Sequence, residues 1–131
     1  MSIHVDGCSL IFVYGSLKRG FVLHRFLSQQ QFVATASTQP RYRLFDCGAY
    51  PAMVKVAVGG NSVKGEVFLV DQECLLKLDE VEGVAEGLYI RDSVHLCAPH
   101  DTSRTIAWFF LPSTSGLPDC GSEWPIAERT V

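Results

Sequence analysis

Short apolar stretches separated by turn-forming residues make up most of the chain, and their length favours strands over long helices. They are rich in β-branched and aromatic residues, and glycine, proline or polar residues punctuate them. The first stretch, SLIFVY, is ended by Gly15 and reads as a buried strand. The predicted strands cover residues 9–14, 31–37, 41–46, 52–58, 64–70, 88–97 and 104–112.

Two segments show helical spacing instead. The first is residues 21–30, which predict a short amphipathic helix from the spacing of Val22, Leu23, Phe26 and Leu27. The second begins after Asp71, a predicted N-cap, with Val70 placed to pack against Leu75 across the helix start. It is expected to direct Leu75, Leu78 and Val81 inward and to stop at Gly83.

Many strands with two short helices, and without regular strand–helix alternation, predict an α+β domain. Its sheet is expected to be mixed or antiparallel and to curl on itself. A length of 131 residues suits one domain spanning 1–131. Within it we expect a core over about 9–112 and an irregular tail over 113–131 that contains Trp124.

Composition and charge narrow the range of functions. The chain is 47% hydrophobic and 19% charged, which is typical of globular proteins, and its net charge is −3. Lysine and arginine are scattered rather than clustered, so no nucleic-acid partner is predicted. No apolar run approaches the ~20 residues of a membrane span, and the first residues lack a signal pattern. We therefore expect a cytoplasmic protein without a membrane partner.

The cysteines and histidines offer alternative chemistries that the sequence does not favour. The five cysteines are far apart and form no CxxC pair, so we expect reduced and mostly buried thiols. A cysteine nucleophile with a nearby histidine is a rival interpretation, but isolated residues of these types usually serve packing or lie at the surface. His95, Cys97 and His100 lack a fourth ligand, so no metal site is predicted. The aromatic run 108–110 is expected in the core.

The segment VYGSLKRG, residues 13–20, joins the first strand to the first predicted helix and is a candidate anion-binding turn. A glycine-rich turn in this position exposes consecutive backbone N–H groups. Gly15 and Gly20 have the spacing of a phosphate-binding loop, but Phe21 and Val22 stand where that loop needs lysine and a hydroxyl residue. A carboxylate is therefore the better ligand, although a turn without a ligand is the commoner meaning of such glycines.

Glu82 is the best candidate for a chemical partner of this turn. Charges on a helix usually form a solvated face, and Asp79 and Glu80 are expected there. Helical spacing places Glu82 beside the apolar face and at the helix C-terminus. An apolar wall and the negative end of the helix dipole both raise a carboxyl pKa, which suits a general base.

Three blocks, VYGSLKRG, VKGEVFLVD and LDEVEGVAEGLYIR, occur in the order found in the γ-glutamylcyclotransferase-like family, and the chain resembles that family from about residue 10 to 110. The family includes γ-glutamylamine cyclotransferases. The resemblance implies a small mixed, largely antiparallel β-barrel with flanking helices, and no cofactor. It also implies a tyrosine in the late strand facing the cavity, where this chain has WFF at 108–110.

The resemblance assigns roles to matching residues. Glu82 matches the catalytic glutamate, and the substrate-binding positions match Tyr14, Gly15, Ser16, Leu17 and Tyr89. The implied reaction is intramolecular: the α-amine of a γ-glutamyl amine or small γ-glutamyl peptide attacks its own γ-carbonyl, giving 5-oxoproline and the free amine. Lys18 and Arg19 are expected to be solvated or steering charges.

Two alternatives stay open at this level. A domain of the same fold could bind a small molecule without turnover, because folds are reused for unrelated functions. The same glutamate could also serve a different acyl or amide transfer. The sequence leaves the oligomeric state open.

Overall fold

The computed structural model describes residues 7–126. Seven strands are present in this part of the chain: β1 (Cys8–Val13), β2 (Gln31–Ser37), β3 (Tyr42–Asp46), β4 (Pro51–Lys55), β5 (Lys64–Asp71), β6 (Tyr89–Val94) and β7 (Thr105–Phe110). One α-helix, α1 (Gln72–Val81), follows β5, and a 3-10 helix (His24–Leu27) lies between β1 and β2. The α+β class predicted from the sequence is confirmed.

The strands form a five-stranded sheet in the order β2-β5-β1-β7-β6 and a separate hairpin of β3 and β4. Only β1 and β7 are parallel within the large sheet, which is otherwise antiparallel. The sheet is mixed and largely antiparallel, as predicted, but it remains open rather than closing into a barrel. The hairpin covers one face of the sheet instead of completing the ring.

The two faces of the sheet bury different apolar clusters, which explains why β1 is apolar without alternation. Phe12 on β1 and Phe109 on β7 point toward the β3–β4 hairpin. Ile11 and Trp108 point the other way, toward α1 and the 3-10 helix. The end of β1 therefore lies between two apolar layers, and the loop that follows it is held on both sides.

Helix α1 begins and ends as its sequence predicts. The Asp71 side chain accepts a hydrogen bond from the Cys74 N–H at 2.8 Å, which satisfies one of the free donors of the first turn. Leu75 and Leu78 are buried. The residue after the C-cap, Gly83, has φ of +67°, a left-handed conformation that favours glycine. This ending fixes where Glu82 projects.

The amphipathic helix predicted over 21–30 is wrong. Only His24–Leu27 form a helix, of the 3-10 type, and Val22 is 73% exposed. The reason is that carbonyl groups of the preceding loop form hydrogen bonds with donors of this segment. The Leu23 N–H bonds to the Ser16 carbonyl and His24 Nδ1 lies 3.0 Å from the Leu17 carbonyl oxygen. The segment braces the loop rather than forming regular turns.

Residues 113–126 form no helix or strand, and this segment packs onto the core through Trp124. This side chain is 6% exposed, contacts Phe21 at a ring-centroid distance of 5.6 Å, and donates from Nε1 to Asp46 Oδ1 at 3.0 Å. No helix among residues 7–126 is long and apolar enough to cross a membrane.

Replacing Trp124 by phenylalanine keeps an aromatic ring beside Phe21 but removes the hydrogen bond to Asp46. We expect the free energy of unfolding to fall by about 1.5–3 kcal/mol, the range for a bond to a charged acceptor. Urea unfolding monitored by circular dichroism would measure it. Val58→Ala, at a side chain that is 86% exposed, is the control and should leave stability unchanged. If the Trp124→Phe protein were as stable as the control, the hydrogen bond between Trp124 and Asp46 would not contribute to the stability of the fold.

Candidate active site

The loop after β1 presents three consecutive backbone donors. The Lys18 N–H bonds back to the Gly15 carbonyl at 3.0 Å, which closes a tight turn. Within residues 7–126, the N–H groups of Gly15, Ser16 and Leu17 donate to no protein acceptor, although all three residues are buried. Buried backbone donors are normally satisfied, so this cluster is suited to an anion or a polarised carbonyl oxygen.

Two tyrosines hold the walls around this loop. The Tyr14 hydroxyl donates to the carbonyl of Trp108, and the Tyr89 hydroxyl donates to the carbonyl of Pro51. Burial raises the pKa of both phenols, with a further increase from the nearby Glu82 carboxyl. Both hydroxyls therefore remain protonated near neutral pH, and their donor hydrogens are already used by the protein.

Glu82 occupies the C-cap of α1, where its N–H bonds to the Leu78 carbonyl at 2.8 Å. Its side chain is partly buried and forms no ion pair with any residue of 7–126. Burial raises the pKa of Glu82 to about 7. A carboxyl with this pKa can both accept and return a proton at neutral pH.

These residues line one small cavity that opens to solvent. Every sequence-predicted site residue borders it, so the structure brings Tyr14, Gly15, Ser16, Leu17, Glu82 and Tyr89 together. Sequence reasoning missed five further residues of the lining, which are Phe12, Val13, Tyr50, Pro51 and Trp108. No cysteine, histidine, lysine or arginine of the described chain lines this cavity.

Two residues have contacts that the sequence did not predict: Trp108 borders the cavity, and Asp79 is hydrogen-bonded to Trp108. Trp108 is 2% exposed, as expected of a core residue, yet its side of β7 also borders the cavity. Its Nε1 donates to Asp79 Oδ1 at 2.9 Å, so Asp79 does not belong to a solvated face. Glu80 does lie in solvent, with its side chain 72% exposed.

The prediction of solvated cations in the loop is wrong for Lys18. This residue is 7% exposed, its Nζ donates to the Trp124 carbonyl at 2.6 Å, and burial lowers its pKa. Arg19 is half-exposed and pairs with Glu66, its Nε 3.2 Å from Oε2. Lys18 thus connects the loop to the tail by a hydrogen bond. Its position in the sequence, between Gly15 and Gly20, gives no sign of this contact.

The cysteines are free thiols, but most of them are not buried. Only Cys74 is buried, Cys97 is exposed, and the other three are intermediate. No group of three or more potential metal ligands is found within residues 7–126. The chemistry available in the described cavity therefore comes from one carboxyl, the Ser16 hydroxyl, a set of backbone donors and aromatic walls.

Comparison with known proteins shows the family of this chain. The γ-glutamyl cyclotransferase, AIG2-like family model matches residues 11–126. A protein of Vibrio cholerae that is provisionally named a γ-glutamylcyclotransferase is 39% identical over 102 residues, covering 78% of this chain and 80% of the relative. Human γ-glutamylaminecyclotransferase is 37% identical over 90 residues, which are 63% of this chain and 58% of that protein.

A solved structure shares the architecture. The crystal structure of an AIG2-like protein from Mus musculus superimposes with a TM-score of 0.75 at 26% identity and covers 89% of this chain and 88% of that one. The family match runs from Ile11 in β1 to Ile126, a range that includes the donor loop, helix α1 and Glu82. The chain therefore belongs to the γ-glutamyl cyclotransferase, AIG2-like family.

Proposed function

We propose that this protein converts a γ-glutamyl amine or a small γ-glutamyl peptide into 5-oxoproline and the released amine, with Glu82 as the general acid and base. The observation that carries the proposal is the placement of Glu82, with its pKa raised to about 7, in the same cavity as three unused backbone donors. We also propose that the chain acts as one cytoplasmic domain on a small-molecule partner, without nucleic acid.

The first step requires a neutral amine. The Glu82 carboxylate takes a proton from the α-ammonium group, and the amine lone pair then attacks the γ-carbonyl carbon to form the new C–N bond. The protonated Glu82 returns this proton to the leaving nitrogen as the original γ-amide C–N bond breaks. The ring nitrogen then gives its second proton to the Glu82 carboxylate, which passes it to the released amine, so that the amine leaves as an ammonium ion. The proton is recovered, no water is consumed, and no covalent bond to the protein forms.

Positioning is the second requirement, because the extended γ-glutamyl chain must fold back on itself to react. The free N–H groups of residues 15–17 suit the α-carboxylate or the developing oxyanion of the γ-carbonyl. Holding one end of the chain in this way converts an improbable ring closure into a favoured one. Since no cation lines the described cavity, hydrogen bonds rather than an ion pair hold the carboxylate of the substrate.

The test is to incubate the purified protein with γ-glutamyl amines, γ-glutamyl amino acids and glutathione and to measure 5-oxoproline. We expect at least one class to be converted above the rate of spontaneous cyclisation in buffer. Glu80→Gln, an exposed change on the same helix, should be as active as the wild type. The absence of 5-oxoproline from every class would overturn the proposal. In that case, ligand binding without turnover would favour a binding domain, and release of amine without 5-oxoproline would favour another acyl or amide transfer.

A further inference from the structure

The carboxylate of Asp79, one helical turn before Glu82, joins three structural elements beside the cavity. Its Oδ1 accepts the hydrogen bond from Trp108 Nε1 at 2.9 Å, and its Oδ2 lies 3.4 Å from Arg91 Nη2. Arg91 on β6 and Trp108 on β7 are directly opposite each other in the antiparallel ladder. A single side chain thus holds helix α1, which carries Glu82, to the β6–β7 pair.

Trp108 is fixed at two points that belong to the two halves of the site. Its indole N–H bonds to Asp79, and its backbone carbonyl accepts the Tyr14 hydroxyl at the start of the donor loop. The side chain is nearly inaccessible, and a buried N–H group without an acceptor is costly. The indole can therefore keep its orientation at low cost only while residue 79 offers an acceptor.

We propose that Asp79 is a positioning residue for the cyclisation, acting through Trp108. The fixed indole forms the wall against which the γ-glutamyl chain folds, and it sets the alignment of the reacting carbonyl relative to Glu82. This inference rests on the proposed function. Misplacement by about 1 Å is enough to cost a positioned reaction about 100-fold in rate. Because the wall acts on the folded conformation, its loss should reduce kcat more than it raises KM.

The test compares two replacements of nearly equal size. Asp79→Asn keeps an oxygen that accepts from the indole, whereas Asp79→Leu does not. We expect Asp79→Leu to lower kcat by about 10–100-fold, with a much smaller change in KM. We expect Asp79→Asn to recover most of this loss. Arg91→Met removes only the contact with Oδ2 and should resemble Asp79→Asn.

In ¹H–¹⁵N spectra without ligand, Asp79→Leu should shift the indole resonance of Trp108 and speed its hydrogen exchange, whereas Asp79→Asn should preserve its protection.

Three results would overturn the inference while leaving the proposed function intact. They are an Asp79→Leu protein with wild-type kcat, an Asp79→Asn protein as impaired as Asp79→Leu, and an Asp79→Leu protein in which the indole resonance is unchanged. If Asp79→Leu unfolds, Trp108→Phe serves instead, because it keeps a ring but has no N–H for Asp79 to bind. In that background Asp79→Leu leaves no indole N–H without an acceptor, so it should fold and cause no further loss of kcat, and a further loss would contradict the coupling. Failure of the proposed function is a separate result, seen as an inactive wild type.

Discussion

Replacing Glu82 by glutamine is expected to slow 5-oxoproline formation severely while leaving the fold intact. Glutamine preserves the size of the side chain and its place at the end of α1, but it cannot take a proton from the substrate amine. General acid and base catalysis by one group contributes about 10²–10⁴-fold, so kcat should fall by that factor. The measurement is a single-turnover assay of 5-oxoproline with Glu80→Gln as the matched control. A fully active Glu82→Gln protein would show that another group moves the proton.

The same residue predicts two pH dependences. Burial raises the pKa of Glu82 to about 7 from its ordinary value of 4.5. As the active base, Glu82 must be ionised, so kcat/KM of the wild type should rise as the pH increases through about 7. The free energy of unfolding, in contrast to kcat/KM, should decrease as the pH rises. Because the pKa of Glu82 is higher in the folded state than in the unfolded state, its contribution to stability is fully present below about pH 4.5 and is partly lost as the pH rises through about 7.

This stability loss supplies an independent check on burial of the carboxyl. Glu82→Gln has no ionisation at this position, so its free energy of unfolding should lack the decrease between pH 4.5 and 7. Relative to the wild type, the variant should therefore gain stability as the pH is raised across this range. Parallel stability curves for the two proteins would mean that the Glu82 carboxyl is well solvated in the folded state. That result would also remove the reason for its action as a base at neutral pH.

The parts of the site that follow from the sequence are those built by local interactions. The Asp71 cap, the apolar face of α1 and the left-handed Gly83 lie within one short segment, and together they determine where Glu82 projects. The donor loop likewise follows directly from an apolar strand ended by Gly15. Each of these features depends on neighbours a few residues away, which a sequence pattern records.

The parts that the sequence did not reveal depend on contacts between distant segments. Trp108 meets Asp79 and Lys18 meets Trp124 only after the sheet has formed. Sheet order has the same origin, since the parallel pairing of β1 with β7 joins strands from opposite ends of the chain. When a strand is buried on both faces, all its side chains are apolar, and the sequence does not indicate which of them borders a cavity. For this reason the sequence predicts only a core position for Trp108.

Gly15→Ala is expected to cause the second large loss of activity, because the donor loop has no room for a side chain at this position. A Cβ atom on Gly15 would lie 2.5 Å from Pro51 Cδ and 2.6 Å from Pro51 Cγ, closer than carbon atoms approach. The rigid proline ring cannot turn aside, so the loop must move and carry its N–H groups with it. We expect kcat/KM to fall by about 100-fold, the cost of a displacement near 1 Å, together with a lower melting temperature.

The Pro51 ring offers a second variant that separates the steric cause from other effects of alanine. In Gly15→Ala/Pro51→Ala the colliding Cγ and Cδ atoms are gone, while the residue 51 carbonyl that accepts the Tyr89 hydroxyl is kept. The double variant should therefore recover part of the lost kcat/KM, and Pro51→Ala alone should cost much less than Gly15→Ala. If the double variant were as impaired as Gly15→Ala, the loss would come from stiffening of the loop backbone. Recovery would show that close approach to Pro51, rather than backbone freedom, is what requires glycine before the three donors.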